Sequence, residues 1–143
     1  MSELAPLPRD QRKIDAGHLK TLAVFHFVGA GLAVLGILLL CVHYAVFHTI
    51  FTDPKFWQGQ IQPALPPELF SMLKWFYVIG GLWFVASGIL NFISAFCLLA
   101  RKHRIFSLVV AGINCLHIPL GTILGVFTII VLVRDSVREL YEA

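Results

Sequence analysis

Three apolar runs, at about residues 19–51, 69–100 and 105–133, leave this chain few folds to choose from. Each exceeds the roughly 20 residues a helix needs to cross a hydrocarbon core of about 30 Å. Within lipid, a backbone is satisfied only in helices or closed barrels. The runs lack the apolar–polar alternation of a barrel strand, so they read as transmembrane helices. Composition points the same way. The chain is 58% hydrophobic and 13% charged, whereas soluble domains carry about 25% charged residues. Most of its surface therefore faces something other than water.

The third run is the ambiguous one. As a single helix its 29 residues reach about 43 Å. Divided into 105–117 and 120–133, each half reaches only about 20 Å. Length favours one helix and chemistry favours two. Pro119 removes a backbone donor and disfavours helical geometry at Ile118. Gly121 follows, and Asn114, His117 and Thr122 make the centre polar. Charge placement also favours two. With four spans, nine of the eleven cationic residues share one side; with three, Arg134 and Arg138 are exported. The expected architecture is an all-α, polytopic transmembrane bundle of four spans, ending in a short helical hairpin turned at Pro119 and Gly121. Three spans with a kinked last helix is the alternative.

The expected organisation follows. Residues 1–15 form a flexible cytoplasmic tail, because Ala-Pro-Leu-Pro-Arg-Asp discourages an early helix. Residues 16–134 form the membrane domain, with an outer loop at 52–68. That loop holds Phe56 and Trp57, which suit the interface, and then Gln60, Gln62 and Pro63. Pro66-Pro67-Glu68 is a helix start, since proline tolerates the first turn and an acid suits the N-terminal dipole. Residues 135–143 form a short amphipathic cytoplasmic tail, with Val133, Val137, Leu140 and Tyr141 at helical spacing. The first span serves as its own signal anchor, because no small-residue cleavage site follows a short apolar core.

Several groups are candidates for chemistry. Asn91, Asn114, His117 and Thr122 are the ligand or pore candidates: Asn91 and Asn114 can bond across helices or line a narrow lumen. Gly29, Gly31 and Gly36 narrow the first span, and Gly121-x-x-x-Gly125 places two small residues on one helix face; both patterns suit close helix packing. His43, His48 and His117 approach the outer side and are the candidate metal ligands. Against a metal, His43 and His48 lie five apart, about 140° around a helix, where ligands usually sit three or four apart. His18 and His103 belong to the basic interface. Cys41, Cys97 and Cys115 all lie in apolar runs and read as reduced core thiols. No acid or fixed cation lies within a span core, which weighs against proton-coupled transport. The chain also has no phosphate loop, Cys-x-x-Cys, catalytic triad or acid pair.

Three segments together carry a family resemblance: His18-Leu-Lys-Thr-Leu-Ala-Val-Phe-His-Phe-Val28, Phe106-Ser-Leu-Val-Val-Ala-Gly-Ile-Asn-Cys115, and Pro119-Leu-Gly-Thr-Ile-Leu-Gly-Val-Phe-Thr128 with its continuation to Val137. In these the chain resembles a family of small uncharacterised bacterial four-helix integral membrane proteins. The resemblance implies four spans and the bacterial inner membrane, with no activity attached. The functional expectation is a noncatalytic bundle without cofactor. Its partners are the lipid bilayer and either further copies of itself or another membrane protein; nucleic acid is not among them. The alternatives are a small channel or transporter lined by Asn and Thr, and a metal- or haem-binding membrane subunit.

Overall fold

The computed structural model describes residues 8–58 and 66–142. Among these it is helical, without strands. The elements are α1 (Pro8–Thr52), a 3-10 turn (Pro54–Trp57), α2 (Pro67–Ala100), α3 (Arg104–Asn114), α4 (Leu120–Val133) and α5 (Asp135–Glu142). Two helices, α1 and α2, are individually long and apolar enough to cross a membrane. α3 is shorter, and α4 reaches span length only when taken with α5, from which it is bent by 79°.

α1 begins a full two turns before the expected start near Asp15. Pro8 is its first residue, a position where the missing N–H costs nothing and the fixed φ already suits a helix. Gln11 to Asp15 is therefore helix and not flexible tail; residues 1–7 lie outside the described residues. Asp15, Leu19, Leu22, Ala23, His26 and Ala30 are all buried, and their spacing traces one face at the 3.6-residue period. Asp15 sits on that face with no exposed surface. Gln11 Nε2 donates to its two oxygens at 3.2 and 3.3 Å.

α2 starts where the proline pair predicts. Pro67 opens the helix, and Leu69 N and Phe70 N donate to Pro66 O at 3.0 and 3.2 Å. Its far end is closed by a Schellman turn without glycine. Lys102 N donates to Cys97 O and Arg101 N to Leu98 O. Arg101 takes the left-handed conformation this needs (φ 52°), and His103 repeats it (φ 53°) one residue before α3.

The last apolar block is an antiparallel hairpin, not one kinked helix. Arg104 Nε at the start of α3 donates to Leu132 O near the end of α4 at 2.7 Å. α3 stops at Asn114, about one turn before the expected His117, and residues 115–119 make the turn, with a cis peptide between Ile118 and Pro119. Thr122 Oγ1 donates to Cys115 O at 2.9 Å, joining the two sides.

Two compact units emerge: residues up to Gly31 together with those from Ile89 on, and Leu32–Gly88 between them. The first unit holds a core of Leu19, Leu22, Ala23, Ala95, Leu98, Val131, Leu132 and Val137. α5 belongs to this core: Val137 is fully buried, and Leu140 and Tyr141 pack against it. The second unit pairs the later part of α1 with the earlier part of α2 in antiparallel register. A Cβ on Gly36 would meet the Phe84 ring, one on Gly80 would lie 3.7 Å from Leu40, and His43 bonds Tyr77.

Candidate functional site

The polar centre of the first unit draws one residue from each of four helices. Asn91 on α2 and Asn114 on α3 form a reciprocal amide pair: Asn91 Nδ2 donates to Asn114 Oδ1 at 2.9 Å, and Asn114 Nδ2 donates to Asn91 Oδ1 at 2.8 Å. Asn91 Oδ1 also meets His26 Nδ1 of α1 at 2.9 Å. The other ring nitrogen, Nε2, lies 3.2 Å from Thr128 Oγ1 of α4. Thr128 Oγ1 is in turn 2.8 Å from Leu124 O, the carbonyl one turn back on its own helix. All four side chains are buried, His26 and Thr128 completely.

The surrounding small residues make room for this cluster. A Cβ on Gly29 would lie 3.6 Å from the Asn91 amide and 3.8 Å from Leu124, so it meets only ordinary contact. Gly121 and Gly125 are much tighter, and they face α3. At Gly125 a Cβ would strike Ala111 O and approach Cys115 Sγ to 2.6 Å; at Gly121 it would strike His117 and approach Asn114 O to 2.6 Å. The Gly-x-x-x-Gly face is thus occupied within the chain by α3. Gly31 has nothing within 4 Å of such a carbon.

One turn from Asn91 along α2 and two turns from Asn114 along α3 the polar character continues. Ser94 on α2 and Ser107 on α3 have no exposed surface, and neither hydroxyl has a hydrogen-bond partner. A buried unpaired hydroxyl costs about 1–3 kcal/mol. At the foot of the unit, Arg134 Nη1 reaches the buried Asp15 carboxylate at 4.0 Å. On α5 the buried Tyr141 hydroxyl also has no hydrogen-bond partner. Burial pushes its pKa up to about 12, with Cys97 adding to the rise and Arg104 and Arg101 opposing it.

The second unit has a different character. His43 Nδ1 and Tyr77 OH are 2.6 Å apart on its exposed surface. Thr52 Oγ1 donates to His48 O at 2.7 Å and lies 3.2 Å from His48 Nδ1. Trp57 Nε1 donates to Ile50 O at 2.6 Å, folding the 3-10 turn back onto α1. A half-open groove of about 310 Å³ is lined by Tyr44, Phe47, His48, Phe70, Lys74 and Tyr77, among others. The interfacial readings for Gln60, Gln62 and Pro63 lie outside the described residues, as does the Phe56 side chain.

Of the four ligand or pore candidates, the structure brings Asn91 and Asn114 together, facing each other. His117 and Thr122 are half-buried at the hairpin turn and the start of α4, where His117 N donates to Asn114 O and Thr122 Oγ1 to Cys115 O, each at 2.9 Å. Among the described residues no three His, Cys, Asp or Glu side chains lie together in a way that could hold a metal ion. Sequence reasoning missed His26 and Thr128. The available signal was their phase. His26 continues the Asp15–Leu19–Leu22 face, and Thr128 lies three residues before Val131 on the buried face of α4. Comparison of the chain with family models, curated proteins and solved structures finds no match in any of the three.

Proposed function

We propose that the chain is a four-span integral membrane protein of the bacterial inner membrane, with both termini cytoplasmic. In this reading it acts without catalysis, through contacts with lipid and with further copies or another membrane protein. The observation that carries the topology is the Arg104 Nε to Leu132 O bond of 2.7 Å. It ties the entry of α3 to the exit of α4, so the chain comes back to the side from which the hairpin set out. α3 and α4 have 11 and 14 residues, or about 16 and 21 Å. Local thinning and snorkelling of Arg104 and Arg134 can accommodate that shortfall. The noncatalytic reading is supported by the polar centre, whose Asn91, Asn114, His26 and Thr128 side chains bond to one another. The large exposed apolar side chains, among them Leu38, Leu39, Val42, Phe76 and Ile79, offer surface to lipid or a partner.

Single cysteines placed at Ser2 and Ala143 in a cysteine-free chain test the topology. Both should react with an impermeant thiol reagent only after the membrane is opened. A C-terminal cysteine that reacts in intact cells overturns four spans. Cross-linking in native membranes should give a dimer or a heterologous adduct, and a purely monomeric pattern overturns the partner reading.

A further inference from the structure

The hydrogen count around His26 leaves one choice open, the direction of the Thr128 hydroxyl. Asn91 Oδ1 carries no hydrogen, so His26 Nδ1 must donate to it across their 2.9 Å contact. In a neutral ring Nε2 is then an acceptor. Its partner, Thr128 Oγ1, has one hydrogen and two acceptors within reach: Nε2 at 3.2 Å and Leu124 O at 2.8 Å. Two arrangements resolve this without moving any heavy atom. With the ring neutral, the Thr128 hydroxyl turns to Nε2, and Leu124 O keeps its helical bond. With a second proton on the ring, Nε2–H donates to Thr128 Oγ1, and the hydroxyl turns to Leu124 O. Hydrogen-bond partners are thus in place for either protonation state.

Among the described residues, the side chains bonded to the ring are uncharged. α2 presents Asn91, α3 presents Asn114 one amide away, and α4 presents Thr128. On α1 the next titratable groups towards the N-terminus are Lys20, His18 and Asp15, with Lys13 and Arg12 beyond them, and after Ile89 the charged groups of this unit lie at Arg101–Arg104 and from Arg134 on. Between that charged end and His26 lie the two unpartnered buried hydroxyls. Ser94 is three residues from Asn91, and Ser107 is seven from Asn114. Along helices these are steps of about 4.5 and 10.5 Å, both towards the Arg101–Arg104 turn. Buried polar groups without protein partners are the usual seats of internal water.

From this placement we propose that His26 is a proton-exchange site within the membrane bundle, served from the Arg101–Arg104 end by water held at Ser107 and Ser94. A proton delivered by that water binds Nε2, the Thr128 hydroxyl turns to Leu124 O, and release reverses both steps. The ring gains and loses one unit of charge, and no other bond changes. The membrane setting of this site rests on the topology proposed above. The ring chemistry does not, and the cysteine labelling described there tests the topology separately.

The test is nitrogen NMR of the full chain, labelled at histidine, in lipid nanodiscs. At about pH 8, well above the ordinary imidazole range, His26 should be the Nδ1-protonated neutral tautomer. On acidification its signal should convert reversibly to imidazolium while the circular dichroism stays helical. Thr128→Val should displace the Nε2 resonance, and Thr128→Ser should restore it. Ser94→Ala with Ser107→Ala should slow exchange of the ring N–H with D2O by about tenfold while leaving the neutral tautomer in place. An Nε2-protonated tautomer at high pH, or a ring that never becomes imidazolium, overturns the exchange site. Unchanged exchange in the double serine variant overturns the water route. If that variant fails to fold, Ser94→Ala and Ser107→Ala taken singly supply the same comparison, each expected to slow the exchange in part.

Discussion

The two units of this chain use the same helices for opposite purposes. In the first, buried small and polar residues meet: Gly125 against the Ala111 backbone, Asn91 against Asn114, His26 against Thr128. In the second, aromatic rings meet near the surface: Tyr44 on Tyr77 with centroids 5.1 Å apart, Phe47 on Phe70 at 6.2 Å, and His43 bonded to Tyr77. Contacts of backbone with backbone leave little room to adjust. Rings joined through rotatable side chains can shift. The first unit is therefore the specific one and the second the adaptable one, and like substitutions in each should have unlike effects.

The largest contrast is between two glycines. Gly125→Ala drives a methyl into Ala111 O and Cys115, which the hairpin cannot relieve without parting α3 from α4. It should cost about 3 kcal/mol, the upper range for overpacking. Gly36→Ala meets only the Phe84 ring, which can turn aside, and alanine gains nearly 1 kcal/mol of helix propensity. Its net cost should be about 1 kcal/mol or less. Unfolding by denaturing detergent in mixed micelles measures both. Equal costs would break the distinction between a rigid and an adaptable unit.

The amide pair gives the next effect. Asn91→Leu leaves the Asn114 amide and the His26 N–H without their shared partner, and should cost about 1–2 kcal/mol. Adding Asn114→Leu should cost less than the sum of the single changes by about 1 kcal/mol, because the second amide has already lost its mate. His43→Phe at the exposed pair of the second unit should cost only about 0.5 kcal/mol. A strictly additive result for the two asparagines would mean that their bonds carry no coupling.

These particular residues also show what could be read without coordinates. The α2 start was legible because Pro66-Pro67-Glu68 is a local signal, complete within three residues. The hairpin was legible for the same reason, through Pro119 and Gly121. The early start of α1 was not, because proline is read more readily as a breaker than as a first-turn residue, and burial of Asp15 with Arg134 as its neighbour decides the matter from 119 residues away. The His26 site was hidden by distance as well: its partners lie 65 and 102 residues along the chain. Asn91 and Asn114 could be named as interhelical donors, but nothing local distinguishes an amide facing a lumen from one facing another amide.

A smaller effect runs in the favourable direction. Arg101 holds a left-handed conformation at the end of α2, which costs a residue with a Cβ about 1–2 kcal/mol. Arg101→Asn should recover about 1 kcal/mol, since asparagine tolerates that conformation. The same exchange at Lys74, within the helical part of the second unit, should not stabilise. A loss at Arg101 would indicate that its charge matters more to the bundle than its backbone.

The finest comparison sets two tyrosines against each other. Tyr77 shares a 2.6 Å bond with His43, whereas the Tyr141 hydroxyl is buried without a partner. Tyr77→Phe should lose a few tenths of a kcal/mol at neutral pH, the scale of an interhelical bond near the surface. Tyr141→Phe should lose nothing there, because no bond is removed. Its effect belongs to alkaline solution. The folded phenol releases its proton only near 12, against 10.0 for an unperturbed tyrosine. As pH rises past 10 the unfolded chain ionises first, so the wild type loses stability progressively until about 12. Tyr141→Phe should remove that part of the alkaline loss, while Tyr77→Phe should leave it intact. Parallel alkaline profiles for wild type and Tyr141→Phe would show that water reaches this phenol, and that the base of the first unit is as open as the surface of the second.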